Sequence, residues 1–164
     1  MMLKIDAAFL PPAADTRLDV AVVIDVLRMT TTATQLFSRG LDRLAVVASV
    51  DGARKLAAEN SSLLLGERGG LPLPGFDFGN SPLEHADSGL HGRTAVISTT
   101  NGSRAVEAAA AARHVLLGAV VNARSAARRA LSLAQDRVTL ICSGTDGLVS
   151  FEDVLGAGLI CERL

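Results

Sequence analysis

Val20 to Asp25 reads VAVVID. A run of apolar residues, rich in β-branched valine and isoleucine and closed by a carboxylate, predicts a strand buried on both faces rather than one alternating between core and water. Strands of that kind belong to parallel sheets covered by helices on both sides. Outward from this run, Leu3 to Phe9 can form a first strand ended by Pro11 and Pro12. Met29 to Arg39 reads as a helix terminated by Gly40, Leu44 to Val47 as a strand, and a short helix capped by Asp51 runs to about Glu59. Leu63 to Leu65, Thr94 to Ser98, His114 to Leu117 and Val138 to Cys142 read as further strands, and Ser103 to Ala112, Ala123 to Ala134 and Ser150 to Ile160 as helices. This alternation predicts an α/β fold, a three-layer α/β/α sandwich with a largely parallel or mixed central sheet.

Gly66 to Pro82 (GERGGLPLPGFDFGNSP) breaks the alternation. It holds five of the chain's 15 glycines and three of its 5 prolines, so it predicts a long loop rather than a regular element. Loops of more than roughly a dozen residues in compact domains are usually functional or disordered. Pro72 and Pro74 stiffen this one, and Phe76 and Phe78 can anchor it in a core, which favours order. At its exit Ser81, Pro82 and Glu84 match the start of a short helix with a capping box.

A chain of 164 residues and 17.0 kDa suits one domain with a core large enough to need no disulfides. The two cysteines have no paired spacing, and a net charge of -1 offers no general attraction for nucleic acid. No apolar run approaches membrane-spanning length, and MMLKIDAAF lacks the pattern of a secretory signal, so the cytoplasm is the expected compartment.

Ligands in open α/β sheets bind outside the carboxyl ends of the strands. Four junctions there are rich in polar residues: Asp25 with Arg28 and Thr30 to Thr32; Glu67 with Arg68; Thr99, Thr100, Asn101, Gly102 and Ser103; and Cys142 to Gly147, which includes Thr145 and Asp146. The Thr99 to Ser103 turn could present backbone amides to an anion. Asp25 could ligate a divalent cation and Arg28 clamp an anionic oxygen, with Glu67 and Arg68 repeating the pair and Asp146, Glu152 and Asp153 adding acid. Carboxylates, arginines and amides together suit metal-assisted phosphoryl transfer. Plainer roles stand beside these: helix caps for Asp25, Thr30 to Thr32 and Asn101, solvated charge for Arg124, Arg128 and Arg129, structural roles for His85, His91 and His114. Cys142 is read first as a buried thiol and second as a nucleophile. A cysteine-phosphatase loop would need arginine where Leu148 stands, an aspartyl-phosphate design would need aspartate where Leu27 stands, and no Walker loop is present.

VVIDVLRMTTT (Val22 to Thr32), GERGG with GFDFGNSPLE (Gly66 to Glu84), STTNGSRA (Ser98 to Ala105) and CSGTDGLVSFED (Cys142 to Asp153) together resemble the 2-phosphosulfolactate phosphatases of the ComB type. The resemblance implies an α/β/α fold and a Mg²⁺-dependent hydrolase of phosphate esters of 2-hydroxycarboxylic acids, with 2-phosphosulfolactate, a coenzyme M precursor, as substrate. By position it carries over Asp25, Arg28, Glu67, Arg68, Asn80, Ser81, Thr99, Thr100, Asn101, Thr145 and Glu152. The expected arrangement has Mg²⁺ on Asp25 and Glu67 with help from Asp146 or Glu152. Arg28 and the Thr100 to Ser103 amides would face the phosphoryl group, and Arg68 the substrate's carboxylate or sulfonate. Members are usually longer, so a single domain short at the C-terminus is expected, with an open sheet edge that favours a homo-oligomer. The alternative is a non-catalytic anion-binding or assembly module derived from this family.

Overall fold

The computed structural model describes residues 2–12, 18–84 and 89–164. The chain order is β1 (Lys4–Ala8), β2 (Val20–Ile24), α1 (Met29–Ser38), β3 (Arg43–Val46), α2 (Val50–Asn60), β4 (Leu63–Arg68), β5 (Leu71–Pro72), β6 (Thr94–Ser98), α3 (Gly102–Ala108) and β7 (His114–Gly118). A 3₁₀ turn (Val120–Asn122), α4 (Ala123–Leu133), β8 (Arg137–Cys142) and α5 (Phe151–Cys161) follow. The expected α/β alternation is present, and all of its expected strands form.

The strands divide between two four-stranded sheets, ordered β1-β8-β2-β7 and β3-β6-β4-β5. Every pairing is parallel except that of β4 with β5. Each sheet has helices on both faces. In the first, Val20, Val22, Ile24, Val138, Leu140 and Cys142 pack against α4 and α5, while Ala21, Val23 and Ile141 pack against Ala105 and Ala109 of the α3 segment. In the second, Leu63, Leu65, Ala95 and Ile97 pack against Met29 and Leu36 of α1, and Leu64 and Val96 against Ala53 and Ala57 of α2. Both sheets are thus α/β/α sandwiches, and α1 and α3 lie between them. Sequence periodicity cannot distinguish one sheet from two, because both partitions bury the same apolar runs. The all-buried β2 is as its composition predicts.

Local differences have local causes. Ser49, not Asp51, caps α2, with its hydroxyl accepting the Gly52 N–H at 3.2 Å. The Gly66 to Pro82 stretch begins inside β4, and Leu71–Pro72 folds back on Glu67 and Arg68 as a hairpin. Gly66 is required there: it has φ +152, and a Cβ would strike the Ser98 carbonyl oxygen on β6. The rest of the stretch is ordered as its phenylalanines predict. Phe76 packs on the α2 side of β4 and Phe78 on the α1 side. Asp77 accepts the Leu64 N–H at 2.7 Å and donates its own N–H to the Leu64 carbonyl at 2.8 Å, and the Gly66 N–H donates to the Phe78 carbonyl at 3.1 Å. At the exit, Glu84 accepts the N–H of Gly79 rather than that of Ser81, so the expected capping box does not close. Pro82 to Glu84 form a turn, and the rest of that expected helix, with His85, lies outside the described residues.

Candidate active site

The carboxyl ends of β2, β8, β4 and β6 converge on a cleft of about 290 Å³ lined by Asp25, Leu27, Arg28, Glu67, Gly69, Gly70, Asn80, Thr100, Asn101, Thr145 and Asp146. Its walls come from both sheets, so the site lies at their junction. Contacts across that junction hold it shut. The Arg28 guanidinium donates to the Gly70 carbonyl at 3.3 Å, and the Asp146 N–H to Asn101 Oδ1 at 3.3 Å.

Asp25 sits at the end of β2, buried, and its loop is pinned by α1. The Thr30 hydroxyl donates to the Asp25 carbonyl at 2.7 Å and accepts the Asp25 N–H at 3.1 Å. Thr31 donates to the Val26 carbonyl at 2.7 Å and Thr32 to the Asn80 carbonyl at 2.9 Å. The threonines therefore tie loops together, and Arg28 occupies the cap position of α1 without a side-chain bond to the helix. The Leu27–Arg28 peptide is cis. Burial and then the nearby carboxylate of Asp153 push the Asp25 carboxyl up to about 7; the Met29 amide pulls it down, Glu67 adds a smaller push, and the Arg28 amide a smaller pull. A carboxylate in that setting is a ready partner for a cation.

Glu67, also buried, is held by three donors: the Gly70 N–H at 2.6 Å, the Thr100 N–H at 2.7 Å and the Thr100 hydroxyl at 3.1 Å. It locks the ends of β4 and β6 together. The Thr99 to Ser103 turn is likewise closed on itself, since the Ser103 N–H donates to Thr99 Oγ1 at 3.0 Å and the Thr99 N–H to Ser103 Oγ at 2.9 Å. Two of the amides expected to receive an anion, those of Thr100 and Ser103, thus already have acceptors. Thr99 and Ser103 are buried and shape the turn, and Gly102 presses its α-carbon against the Asp25 carboxylate.

The structure brings Asp25, Arg28, Glu67, Asn80, Thr100, Asn101, Thr145 and Asp146 to one cleft and leaves other candidates outside it. Arg68 alternates to the opposite face of β4, where its guanidinium donates to the Ala48 and Glu67 carbonyls and to Ser98 Oγ at 2.7 to 2.8 Å. It is a strut of the second sheet and does not line the cleft. Ser81 accepts the Leu83 N–H at the loop exit. Cys142 faces the α4 and α5 core and is fully buried, and burial, followed by the Asp153 charge, pushes its thiol up to about 12. Of the two readings of Cys142, these surroundings match the buried thiol. Glu152 does not line the cleft. Its neighbour Asp153, a helical step round α5, is the buried acid that faces the strand ends. In the sequence Asp153 stands out only as one more acid beside Glu152. Its only sequence signal was position in the first turn of α5, where an acid is expected anyway.

Among the described residues no group of three His, Cys, Asp or Glu side chains is arranged to hold a metal unaided. Mg²⁺ is commonly held by one or two carboxylates, with waters and substrate phosphate filling its shell. The cleft fits that mode: its carboxylate, amide and hydroxyl groups offer oxygens, and among the described residues Asn80 Oδ1 is buried there without a hydrogen-bond partner.

Fold and cleft define an α/β protein with an acidic, arginine-edged cleft at its strand ends. The family model described as 2-phosphosulpholactate phosphatase matches residues 10–164, and the chain belongs to that family. A Deinococcus radiodurans protein named "Probable 2-phosphosulfolactate phosphatase" is 48% identical over 148 residues, covering 89% of this chain and 62% of its own. Proteins of the same name are 44% identical in Carboxydothermus hydrogenoformans (99% of this chain, 68% of its own) and 43% identical in Thermus thermophilus (89% and 62%). The chain thus spans about two thirds of the length of these relatives.

Proposed function

We propose that the protein is a Mg²⁺-dependent phosphatase of 2-hydroxycarboxylic acid phosphate monoesters. It would hydrolyse 2-phosphosulfolactate to 3-sulfolactate and phosphate, as in coenzyme M biosynthesis. The observation that carries this reading is a buried carboxylate, Asp25, facing the same cleft as the Arg28 guanidinium and the orphaned Asn80 oxygen. Asp25 would hold Mg²⁺, with Glu67, Asn80 and Asp146 as further oxygens lining the same cleft. Bound there, the cation would supply positive charge for the phosphoryl oxygens. Arg28, engaged among the described residues by one carbonyl at 3.3 Å, keeps donors for the same group. Glu67 keeps Gly70 and Thr100 in place, which fixes the floor on which the ester rests. The Asn101 amide and Thr145 hydroxyl face the remainder of the cleft and suit the substrate's carboxylate or sulfonate. Positioning and electrostatics of this kind supply most of what phosphoryl transfer requires.

The free cysteines suit a cytoplasmic location, and the open edge of β1 would favour a homo-oligomer. No helix among the described residues is long and apolar enough to cross a membrane. The test is phosphate release from 2-phosphosulfolactate beside phospholactate and phosphoglycolate. Hydrolysis abolished by EDTA and restored by Mg²⁺ is expected, with 2-phosphosulfolactate preferred. Saturable binding without turnover would instead make the chain an anion-binding module.

A further inference from the structure

The start of α5 does not cap itself. Its N-cap, Ser150, makes no side-chain bond to the helix, and its hydroxyl lies 2.8 Å from that of Thr145. Asp153, in the first turn and 2% exposed, also turns away from its own helix. Its Oδ1 accepts the Val26 N–H at 2.9 Å, and its Oδ2 accepts the Ser143 hydroxyl and the Gly144 N–H, each at 3.0 Å. Val26 follows Asp25 and precedes Arg28, and Gly144 precedes Thr145 and Asp146. The groups that would ordinarily cap a helix thus hold the two cleft loops of the first sheet.

We propose that Asp153 is a positioning residue that clamps the Asp25–Arg28 loop to the Gly144–Asp146 turn and so fixes the first sheet's half of the cleft. Three donors converging on two oxygens require a group that only accepts, which an ionised carboxylate is and an amide is not. In Asp153→Asn, a side-chain NH₂ must face one of these donors, so at least one of the Val26 and Gly144 bonds is lost at nearly unchanged volume. The catalytic consequence rests on the phosphatase reading above, whereas the clamp itself does not.

The test therefore pairs kinetics with amide hydrogen exchange on the full chain. In Asp153→Asn, the Val26 and Gly144 amides should exchange at least tenfold faster while core amides of β2 and β8 keep wild-type protection. In the Mg²⁺ assay kcat should fall about 10- to 100-fold with KM within about threefold, as expected when reacting groups are displaced but the ester still binds. Wild-type exchange at Val26 and Gly144, or unchanged kcat, would overturn the proposal. So would acceleration spread evenly over both strands, which marks loss of the fold rather than of a clamp. If Asp153→Asn does not fold, Asp153→Glu keeps two accepting oxygens on a stem one methylene longer and so misplaces them from the Val26 and Gly144 N–H groups. Exchange at both amides should then quicken and kcat fall severalfold, and wild-type behaviour in both would refute the clamp. A wild-type protein that hydrolyses no ester would defeat the proposed function, and the exchange result would still decide the clamp.

Discussion

Gly102 leaves no room for a side chain beside Asp25: a Cβ there would overlap Oδ2 of the carboxylate and lie 2.8 Å from the Met29 side chain. The start of α3 thereby reaches across from the second sheet to the key acid of the first. Gly102→Ala must push Asp25 or Met29 aside. Overpacking of this kind costs about 1–3 kcal/mol. Denaturant unfolding should show that loss, and phosphate release should drop at least tenfold because the displaced group is Asp25.

The raised carboxyl of Asp25 predicts a pH dependence of stability. Its pKa is about 7 in the folded protein against 3.8 for an ordinary aspartate, so the native state binds more protons than the unfolded one between those values. Stability without metal should therefore fall as pH rises through that window and level off above it, by on the order of 4 kcal/mol from this group. Asp153, also raised, adds in the same direction. Thermal melts at pH 5 and pH 8 should show a steeper loss for wild type than for Asp25→Asn. Mg²⁺ should raise the wild-type melting temperature more at pH 8 than at pH 5. Parallel pH profiles of the two proteins would count against a buried, proton-binding Asp25.

The two cysteines should behave oppositely. Cys142 is buried with its thiol pushed up to about 12, and Cys161 is exposed. A chromogenic disulfide reagent should titrate one thiol per native chain and two after denaturation. Cys142→Ala should retain turnover within about threefold while losing about 1 kcal/mol or more of stability, as core truncations do. Loss of activity in a folded variant would restore the nucleophile reading.

The two arginines of the polar junctions should separate by phenotype. Arg28→Ala should lower kcat/KM by about 10²- to 10³-fold with little change in melting temperature, since its guanidinium makes a single 3.3 Å bond at the cleft rim. Arg68→Ala removes bonds to Ala48, Ser98 and Glu67 and should lower stability first. The reverse pattern would mean that Arg68, not Arg28, meets substrate.

How much of this was legible in sequence depends on the range over which each feature is decided. The buried β2, the C-terminal signal at Gly40 and the anchoring roles of Phe76 and Phe78 follow from composition within a few residues, and they are present as read. Asp25, Glu67 and Asp146 meet in the cleft because each ends or follows a strand of a parallel sheet, a rule that needs no knowledge of the partner strand. The division into two sheets is set by which strands neighbour one another, and an apolar run does not encode its neighbour. The place of Arg68 is decided in a related way. β4 runs on to Arg68, three residues past the apolar run that marks it in the sequence, and its alternation sends Glu67 into the cleft and Arg68 behind it. Asp153 was hidden because an acid in a first helical turn ordinarily serves its own helix, and only the fold brings Val26, 127 residues away, to its carboxylate.

The central claim, that Asp25 is the anchor of a metal-assisted phosphatase site, is tested most directly by one comparison. Phosphate release from 2-phosphosulfolactate is measured at saturating Mg²⁺ for wild type and Asp25→Asn, both shown to melt cooperatively. The account predicts Mg²⁺-dependent turnover by wild type and a loss of about a thousandfold or more in the variant. Equal rates in the two proteins would contradict it.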